Sequence, residues 1–354
     1  MSETPKNLGF KIPAEWEKHS AVWLAWPHDK ISFGSLNETQ NEMDEERLSR
    51  VEQKFLEIIK AISESEIVKL LVLNGEVEER VKKMLRLINV NLDRINFYEV
   101  DYADVWLRDF GPIFISNGRE KAWLKWVYDA YGNKFPDLLK DNNVFLKLEK
   151  VIGKRMFKID FILEGGSIEI NGDGICLTTE KCLIEKSRNN SASKEKVEQV
   201  LKDNLGVEKI IWLKDGLVND HTDGHIDDIA RFIKKDTILC AYEENTNDPN
   251  FKILEKNFRI LENSTDQNNK KFNLVKIPMP HMNYHNGEKA PVSYVNFYVG
   301  NNVVLVPTFN DPNDERALDI IGHHFPDRKI MGVDCRDIIY GGGSIHCITQ
   351  QEPL

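Results

Sequence analysis

The sequence predicts an α/β fold: a five-bladed α/β propeller of ββαβ repeats around a pseudo-fivefold axis, forming a single domain over residues 1–354. Three observations point there. Strand-like runs come in adjacent pairs, and each pair is followed by a helical stretch and one more strand. Four such units are present, and the N-terminus offers most of a fifth. The length, 354 residues, is long for one ordinary domain, yet no Pro-, Gly- or Ser-rich linker divides it. A generic α/β fold with frequent hairpins is the alternative.

The N-terminal unit has a strand at Ala21–Trp26, a helix at Asp44–Ser63 and a strand at Ile67–Leu73. An added amphipathic helix, Glu76–Leu87, and a strand, Ile95–Val100, follow. The first full unit pairs Pro112–Asn117 with Lys121–Tyr128, then runs through a helical stretch near Asn143–Ile152 to the strand Arg155–Leu163. The second pairs Ser167–Asn171 with Ile175–Thr179 across Asn171-Gly172-Asp173-Gly174. Asn-Gly supplies the positive φ angles of a tight hairpin. Its helix is Ser193–Leu205 and its last strand Lys209–Leu213. The third unit is Ile229–Lys234, Thr237–Tyr242, helix Asn250–Leu261 and strand Phe272–Pro278. The fourth is Val292–Val299, Asn302–Phe309, helix Asp314–His324 and strand Lys329–Asp334. Ser344–Thr349 reads as a final strand that pairs with the first and closes the ring.

Composition narrows the function. Lys plus Arg is 47 against 57 Asp plus Glu, a net charge of −10, which disfavours a phosphate backbone as partner. No apolar run approaches the ~18 residues of a membrane span, and the N-terminus has no secretory pattern. The cysteines Cys176, Cys182, Cys240, Cys335 and Cys347 are odd in number and contain no CxxC, which argues against a disulfide framework or a Cys-rich zinc site. Neither a Walker A sequence nor GxGxxG after a strand occurs, so no nucleotide cofactor is expected. The expected location is cytoplasmic.

Polar residues fall at recurring places in the repeat. Trp106–Pro112 precedes the first hairpin, Glu164–Ser167 the second and Asp220–Asp227 the third; Cys347 lies on the expected closing strand. Equivalent positions of a cyclic repeat converge on one end of its axis, so Asp109, Glu164, His225, Asp227 and Cys347 are expected in one pocket. A thiolate attacks an electron-poor carbon, and a histidine moves protons near neutral pH. Carboxylates grip a fork of N–H donors, which a guanidinium is. The set reads as metal-independent attack on a guanidinium carbon. His346 adjoins Cys347, but strand neighbours face opposite ways, so His225 is the better base. Arg108 reads as an ion-pair partner holding its loop. The rival is a zinc or iron site built on His221, His225 and Asp227 with His281, His285 or His323 and His324. It leaves Asp109, Glu164 and Cys347 without a role.

Several segments together resemble the agmatine deiminases (agmatine iminohydrolases) of the guanidine-modifying, or pentein, superfamily, related to the Porphyromonas-type peptidylarginine deiminases. They are Pro13–Glu17, Trp23–His28, Trp106–Pro112, Glu164–Glu169, Asp223–Asp227 with Ala230–Phe232, Tyr294–Phe297, and Gly341–Gln351. The resemblance implies a five-bladed propeller, a linear-amidine hydrolase and no cofactor or metal. It implies agmatine as a small-molecule guanidine partner, with homo-oligomerisation left open. The implied reaction converts agmatine and water to N-carbamoylputrescine and ammonia through a cysteine thiouronium intermediate, in putrescine and polyamine metabolism. Cys347 would be the nucleophile and His225 the acid and base; Asp109 and Asp227 would hold the guanidinium. Glu164 would orient His225 and help bind the guanidinium, and Trp106 would flank the alkyl chain. Many relatives carry an acid four residues before the catalytic histidine, where this chain has His221. His221 is therefore a candidate neighbour of the distal ammonium. The alternative substrate is another guanidine, such as a C-terminal peptidyl-arginine.

Overall fold

The computed structural model describes residues 3–33, 46–184, 188–190 and 192–354. Its strands, in chain order, are β1 (His19–Ala25), β2 (Ile67–Val72), β3 (Ile95–Glu99), β4 (Ile113–Ser116), β5 (Lys121–Val127) and β6 (Arg155–Ile162). Then come β7 (Glu169–Ile170), β8 (Ile175–Thr179), β9 (Lys209–Leu213), β10 (Ala230–Lys234), β11 (Thr237–Tyr242) and β12 (Asn273–Pro278). The last are β13 (Tyr298–Val299), β14 (Val303–Thr308), β15 (Lys329–Asp334) and β16 (Gln350–Pro353). They form five sheets, ordered β16-β1-β2-β3, β4-β5-β6, β7-β8-β9, β10-β11-β12 and β13-β14-β15. In the last four, the first two strands are an antiparallel pair and the third runs parallel to the second. The mixed α/β fold thus carries the expected repeat.

The chain divides into two compact units: residues 1–17, 109–278 and 353 form one, and 18–108, 279–352 and 354 the other. The first holds the three sheets β4–β12. Its core brings Phe10 and Ile12 of the N-terminal segment together with Leu124, Val197, Leu201 and Trp212. Arg231, fully buried on β10, donates to Glu15 at 2.8 Å and Glu169 at 2.7 Å, pinning the N-terminal segment and β7. Three residues of the recurring segments therefore serve the scaffold. β8, the central strand between β7 and β9, is buried at every residue, so both of its faces are covered.

The second unit holds the other two sheets. Its helix Arg47–Ser63 buries Val51, Phe55, Ile58, Ile59 and Ile62, an i, i+4, i+7, i+8 stripe. The first residues of the helix expected from Asp44 lie outside the described residues. Helix Gly75–Leu87 is capped by Asn74, whose side chain accepts from Val77 N at 3.1 Å. No helix of the described residues is long and apolar enough to cross a membrane.

Two elements differ from expectation. Ser344–Thr349 is not a strand: Ile345–Ile348 is a single helical turn, and the strand beside β1 is β16, starting at Gln350. The alternation of Ser344–Thr349 reads as β, but the Asn296 side chain accepts from Ser344 Oγ (2.8 Å), His346 N (3.0 Å) and Cys347 N (3.4 Å), folding the segment around itself. Similarly, of Val292–Val299 only Tyr298–Val299 is strand; Val292–Phe297 are buried without forming one.

Candidate active site

In the three-sheet unit, Asp109, Glu164, His225 and Asp227 are all buried. Asp109 and Asp227 meet His225 around Gly166. A Cβ built on Gly166 would lie 2.6 Å from His225 Nδ1, 2.9 Å from Asp109 Oδ1 and 3.1 Å from Asp227 Oδ2. Only a glycine leaves room for all three. Gly166 N donates to Asp109 Oδ1 at 3.0 Å, and Tyr131 Oη donates to Asp109 Oδ2 at 2.8 Å. His225 Nδ1 lies 3.6 Å from Asp109 Oδ1.

The loop before β10 aims His225 through local polar chemistry. Asp220 accepts from Thr222 N (2.8 Å), Gly224 N (2.9 Å) and His225 N (3.3 Å), a turn closed by its own side chain. Gly224 has φ +94°, and a Cβ on the facing Gly216 would fall 2.0 Å from its Cα, so the two backbones touch. Thr179 Oγ1 donates to Gly224 O at 2.7 Å, tying the loop to the end of β8. Glu164 is fixed by Arg188, whose Nε donates to Glu164 Oε1 at 2.8 Å and whose Nη1 donates to Asp223 Oδ2 at 2.9 Å. Glu164, Cys182 and His225 each place one polar atom within 4.8 Å of the other two.

The electrostatics favour a protonated imidazole. Burial alone would push His225 down, but the negative Asp109, helped by Cys182 and Asp227, holds it well above the usual imidazole range. Burial pushes Asp109 up to about 6, against the pull of His225. A buried proton donor therefore sits beside carboxylates.

The two-sheet unit holds Trp106 and Cys347. A Cβ on Gly343 would lie 2.8 Å from Trp106 Cζ3 and 3.0 Å from Cys347 Sγ, so the indole and the thiol flank one glycine. Trp106 Nε1 donates to Asp104 Oδ2 at 2.9 Å, which fixes the ring. Asn296 Nδ2 donates to Cys347 Sγ at 3.2 Å, and the sulfur also lies 3.5 Å from Asn296 Oδ1, so the amide holds the thiol in place. Arg108 donates to His346 O (3.3 Å) and to Gln351 Oε1 (2.8 Å), holding the Cys347 turn. With Cys347 in a helical turn, the strand-face argument against His346 does not apply; His346 is buried.

His221 lies at the surface, on the far side of Phe135 from Tyr131 in a chain of ring contacts. Its side chain is exposed, its ring lies edge-on to Phe135 at 6.1 Å, and its carbonyl accepts from Lys134 at 2.9 Å. Among the described residues, no group of three metal-ligand side chains includes His221. Tyr131, Cys182, Arg188 and Asn296 were not picked out from the sequence. For Tyr131 a signal exists in Asp129–Asn133: Ala130 and Tyr131 both have positive φ, strain that non-glycine residues carry mostly at functional sites.

A family model for Porphyromonas-type peptidyl-arginine deiminases matches residues 11–353. A Legionella pneumophila (strain Philadelphia 1) protein, named provisionally as an agmatine deiminase, is 36% identical over 100% of this chain and 97% of its own. The structure of an Enterococcus faecalis agmatine deiminase superimposes with a TM-score of 0.87 at 33% identity, covering 100% of this chain and 98% of that one. A cysteine-to-serine variant of the C. jejuni agmatine deiminase with substrate bound gives 0.84 at 33% identity, covering 97% of this chain and 96% of that one. The chain belongs to the Porphyromonas-type peptidyl-arginine deiminase family and, within it, groups with the agmatine deiminases of the pentein superfamily.

Proposed function

We propose that the chain is an agmatine deiminase, hydrolysing agmatine to N-carbamoylputrescine and ammonia. The observation that carries this is the buried set of acceptors around Gly166. Glu164 Oε2 has no hydrogen-bond partner among the described residues, and the Asp109 and Asp227 carboxylates are buried with it. Buried acceptors without donors are costly, and a planar cation with N–H on every edge supplies the donors. The names of the relatives make agmatine the first choice among guanidines.

On this reading the five sheets stand around one pseudo-fivefold axis as a single domain, residues 1–354, which brings Cys347 and Trp106 to the carboxylates. β16 completing the sheet of β1 and the chain-long similarity to agmatine deiminase structures support the ring. Asp109 and Asp227 hold the guanidinium nitrogens, Glu164 orients His225 and accepts a further N–H, and Trp106 flanks the alkyl chain. Cys347 attacks as thiolate, forming an Sγ–Cζ bond. The Cζ–N bond then breaks as His225 gives its proton to the leaving ammonia, and a thiouronium remains. Neutral His225 takes a proton from water as its oxygen bonds to Cζ, the C–S bond breaks, and the ureido product and thiolate are released. A histidine held protonated at neutral pH suits the first step. Five free cysteines support a reducing, cytoplasmic setting.

The test is a guanidine panel (agmatine, arginine and peptides ending in arginine) with detection of ureido product. Agmatine should give the highest kcat/KM, and Cys347→Ser should abolish turnover while Cys176→Ser and Cys240→Ser keep it. Preference for a peptidyl-arginine would replace the substrate. Substantial turnover by Cys347→Ser would overturn the chemistry.

A further inference from the structure

We infer that Glu164, Cys182 and His225 also form a trap for a soft divalent cation, Zn²⁺ or Cd²⁺, that inhibits the enzyme. Three ligand types of different chemistry meet there: a thiol, an imidazole and a carboxylate, all fully or almost fully buried, with one ligand atom each inside 4.8 Å. This is neither a cluster of acids nor a lone cysteine. Glu164 Oε2 lacks a hydrogen-bond partner among the described residues, so its coordination would break no hydrogen bond, and an ion would replace the contact between Cys182 and His225. Arg188 occupies Glu164 Oε1 and leaves Oε2 free to bind.

The local scaffold holds the ligands together. Cys182 sits in the one-turn helix Glu180–Leu183 that follows β8. Thr179 caps that turn by accepting from Cys182 N at 3.2 Å, and its hydroxyl donates to the carbonyl before His225 at 2.7 Å. One residue thus sets the distance between the thiol and the imidazole. Zinc bonds of ~2.0–2.3 Å place tetrahedral ligands ~3.3–3.8 Å apart. The set must therefore contract by no more than about 1.5 Å, which rotation of the Cys182 sulfur about a single torsion can supply.

Charge and proton balance also fit. Thiolate and carboxylate together neutralise a divalent ion, and binding releases the thiol proton and any imidazolium proton to water, so affinity rises with pH. Thiolate and imidazole select zinc and cadmium over magnesium and calcium. The bound ion would occupy the His225 nitrogen and place positive charge where the guanidinium binds. Inhibition competitive with agmatine follows, and that part rests on the function proposed above; metal binding itself does not.

The experiment separates the two. Chelator-stripped full-length Cys347→Ser protein is titrated with Cd²⁺, following the ultraviolet thiolate-to-Cd²⁺ charge-transfer band and stoichiometry by equilibrium dialysis. One Cd²⁺ per chain with the band is expected, and adding Cys182→Ala should remove the band and weaken binding at least about tenfold. Cys182→Ser, which keeps the size of the side chain, should do the same, with circular dichroism checking the fold of both. In the otherwise native enzyme, Zn²⁺ should inhibit ammonia release, agmatine and chelator should relieve it, and Cys182→Ala should need at least about tenfold more Zn²⁺. Absence of the band, or equal Cd²⁺ affinity without Cys182, overturns the site. Metal binding in a protein that does not turn over agmatine would leave the site standing and sink the functional reading instead.

Discussion

Gly166→Ala is the sharpest perturbation of the proposed site, because it adds one methyl group and removes nothing. The new Cβ would stand 2.6 Å from His225 Nδ1. An ordinary non-bonded contact is about 3.5 Å, so the overlap is about 0.9 Å. Asp109 Oδ1 at 2.9 Å and Asp227 Oδ2 at 3.1 Å are crowded too, and none of the three is the loose end of a long chain. The imidazole must move by most of that overlap. Overpacking of this kind costs about 1–3 kcal/mol of stability, whereas displacing a reacting group by about 1 Å costs about 100-fold in rate. The expected result is a folded enzyme with Tm down by a few degrees and kcat/KM for agmatine down by about 100-fold. Ammonia release measures the second and differential scanning fluorimetry the first. If the methyl acts by displacing His225 and Asp109, combining it with Asp109→Asn should cost much less than the product of the two single effects. Near-native kcat/KM in folded Gly166→Ala, or strictly multiplicative losses, would refute the reasoning.

Asp109→Asn should trade activity for stability. Burial raises this carboxyl to about 6 from an ordinary 3.8, so the folded state binds its proton more tightly than the unfolded one. Its charge therefore opposes folding above pH 6, by up to about 3 kcal/mol at ~1.4 kcal/mol per unit, and that cost fades as pH falls towards 4. Tm should rise near neutral pH, with the gain shrinking in acid, while kcat/KM falls at least ~10–100-fold from the lost charge-assisted bonds; a Tm that falls with activity would contradict this. His221→Asp should lower the agmatine KM by offering the ammonium a carboxylate, with no gain for a guanidine bearing an uncharged tail. Equal gains for both would place His221 away from the ammonium. Turnover should survive exhaustive chelation, and a requirement for added metal would reverse the mechanism.

What was legible in the sequence was whatever depends on neighbours. Asn171-Gly172 fixes its hairpin locally, and strands β8, β9, β11 and β15 fall where alternation and β-branched residues put them. Asp314–His324 is helical as its periodicity predicts. Illegible were the features set by distant partners. Ser344–Thr349 carries a strand pattern, yet one amide about 50 positions earlier folds it into a turn. Arg188 lies 24 residues from Glu164 and 35 from Asp223, so nothing local marks it as their clasp. Cys182 looked like a buried small residue and is one; its place beside His225 depends on a hydroxyl bridging two loops.

The fifth polar position was the one the sequence reading lacked. Asp109 precedes β4, Glu164 precedes β7, His225 and Asp227 precede β10, and Cys347 precedes β16. The segment before β13 had no candidate, because its apolar run read as one long strand. Asn296 lies there, two residues before β13, buried and bonded to the Cys347 sulfur and to the backbone of its turn. Each sheet therefore receives one polar group, or one pair, at the approach to its leading strand. The ring proposed above would require that recurrence, because this is the position each repeat would turn towards a shared axis. On the proposed function the labour would divide: the approaches to β4, β7 and β10 carry the carboxylates and the imidazole suited to hold a cation and move its proton, while those to β13 and β16 carry the sulfur and the amide that contacts it. Neither group alone can cleave a C–N bond: carboxylates without a nucleophile bind a guanidinium and release it unchanged, and a thiolate without a held and protonated leaving group has nothing to expel.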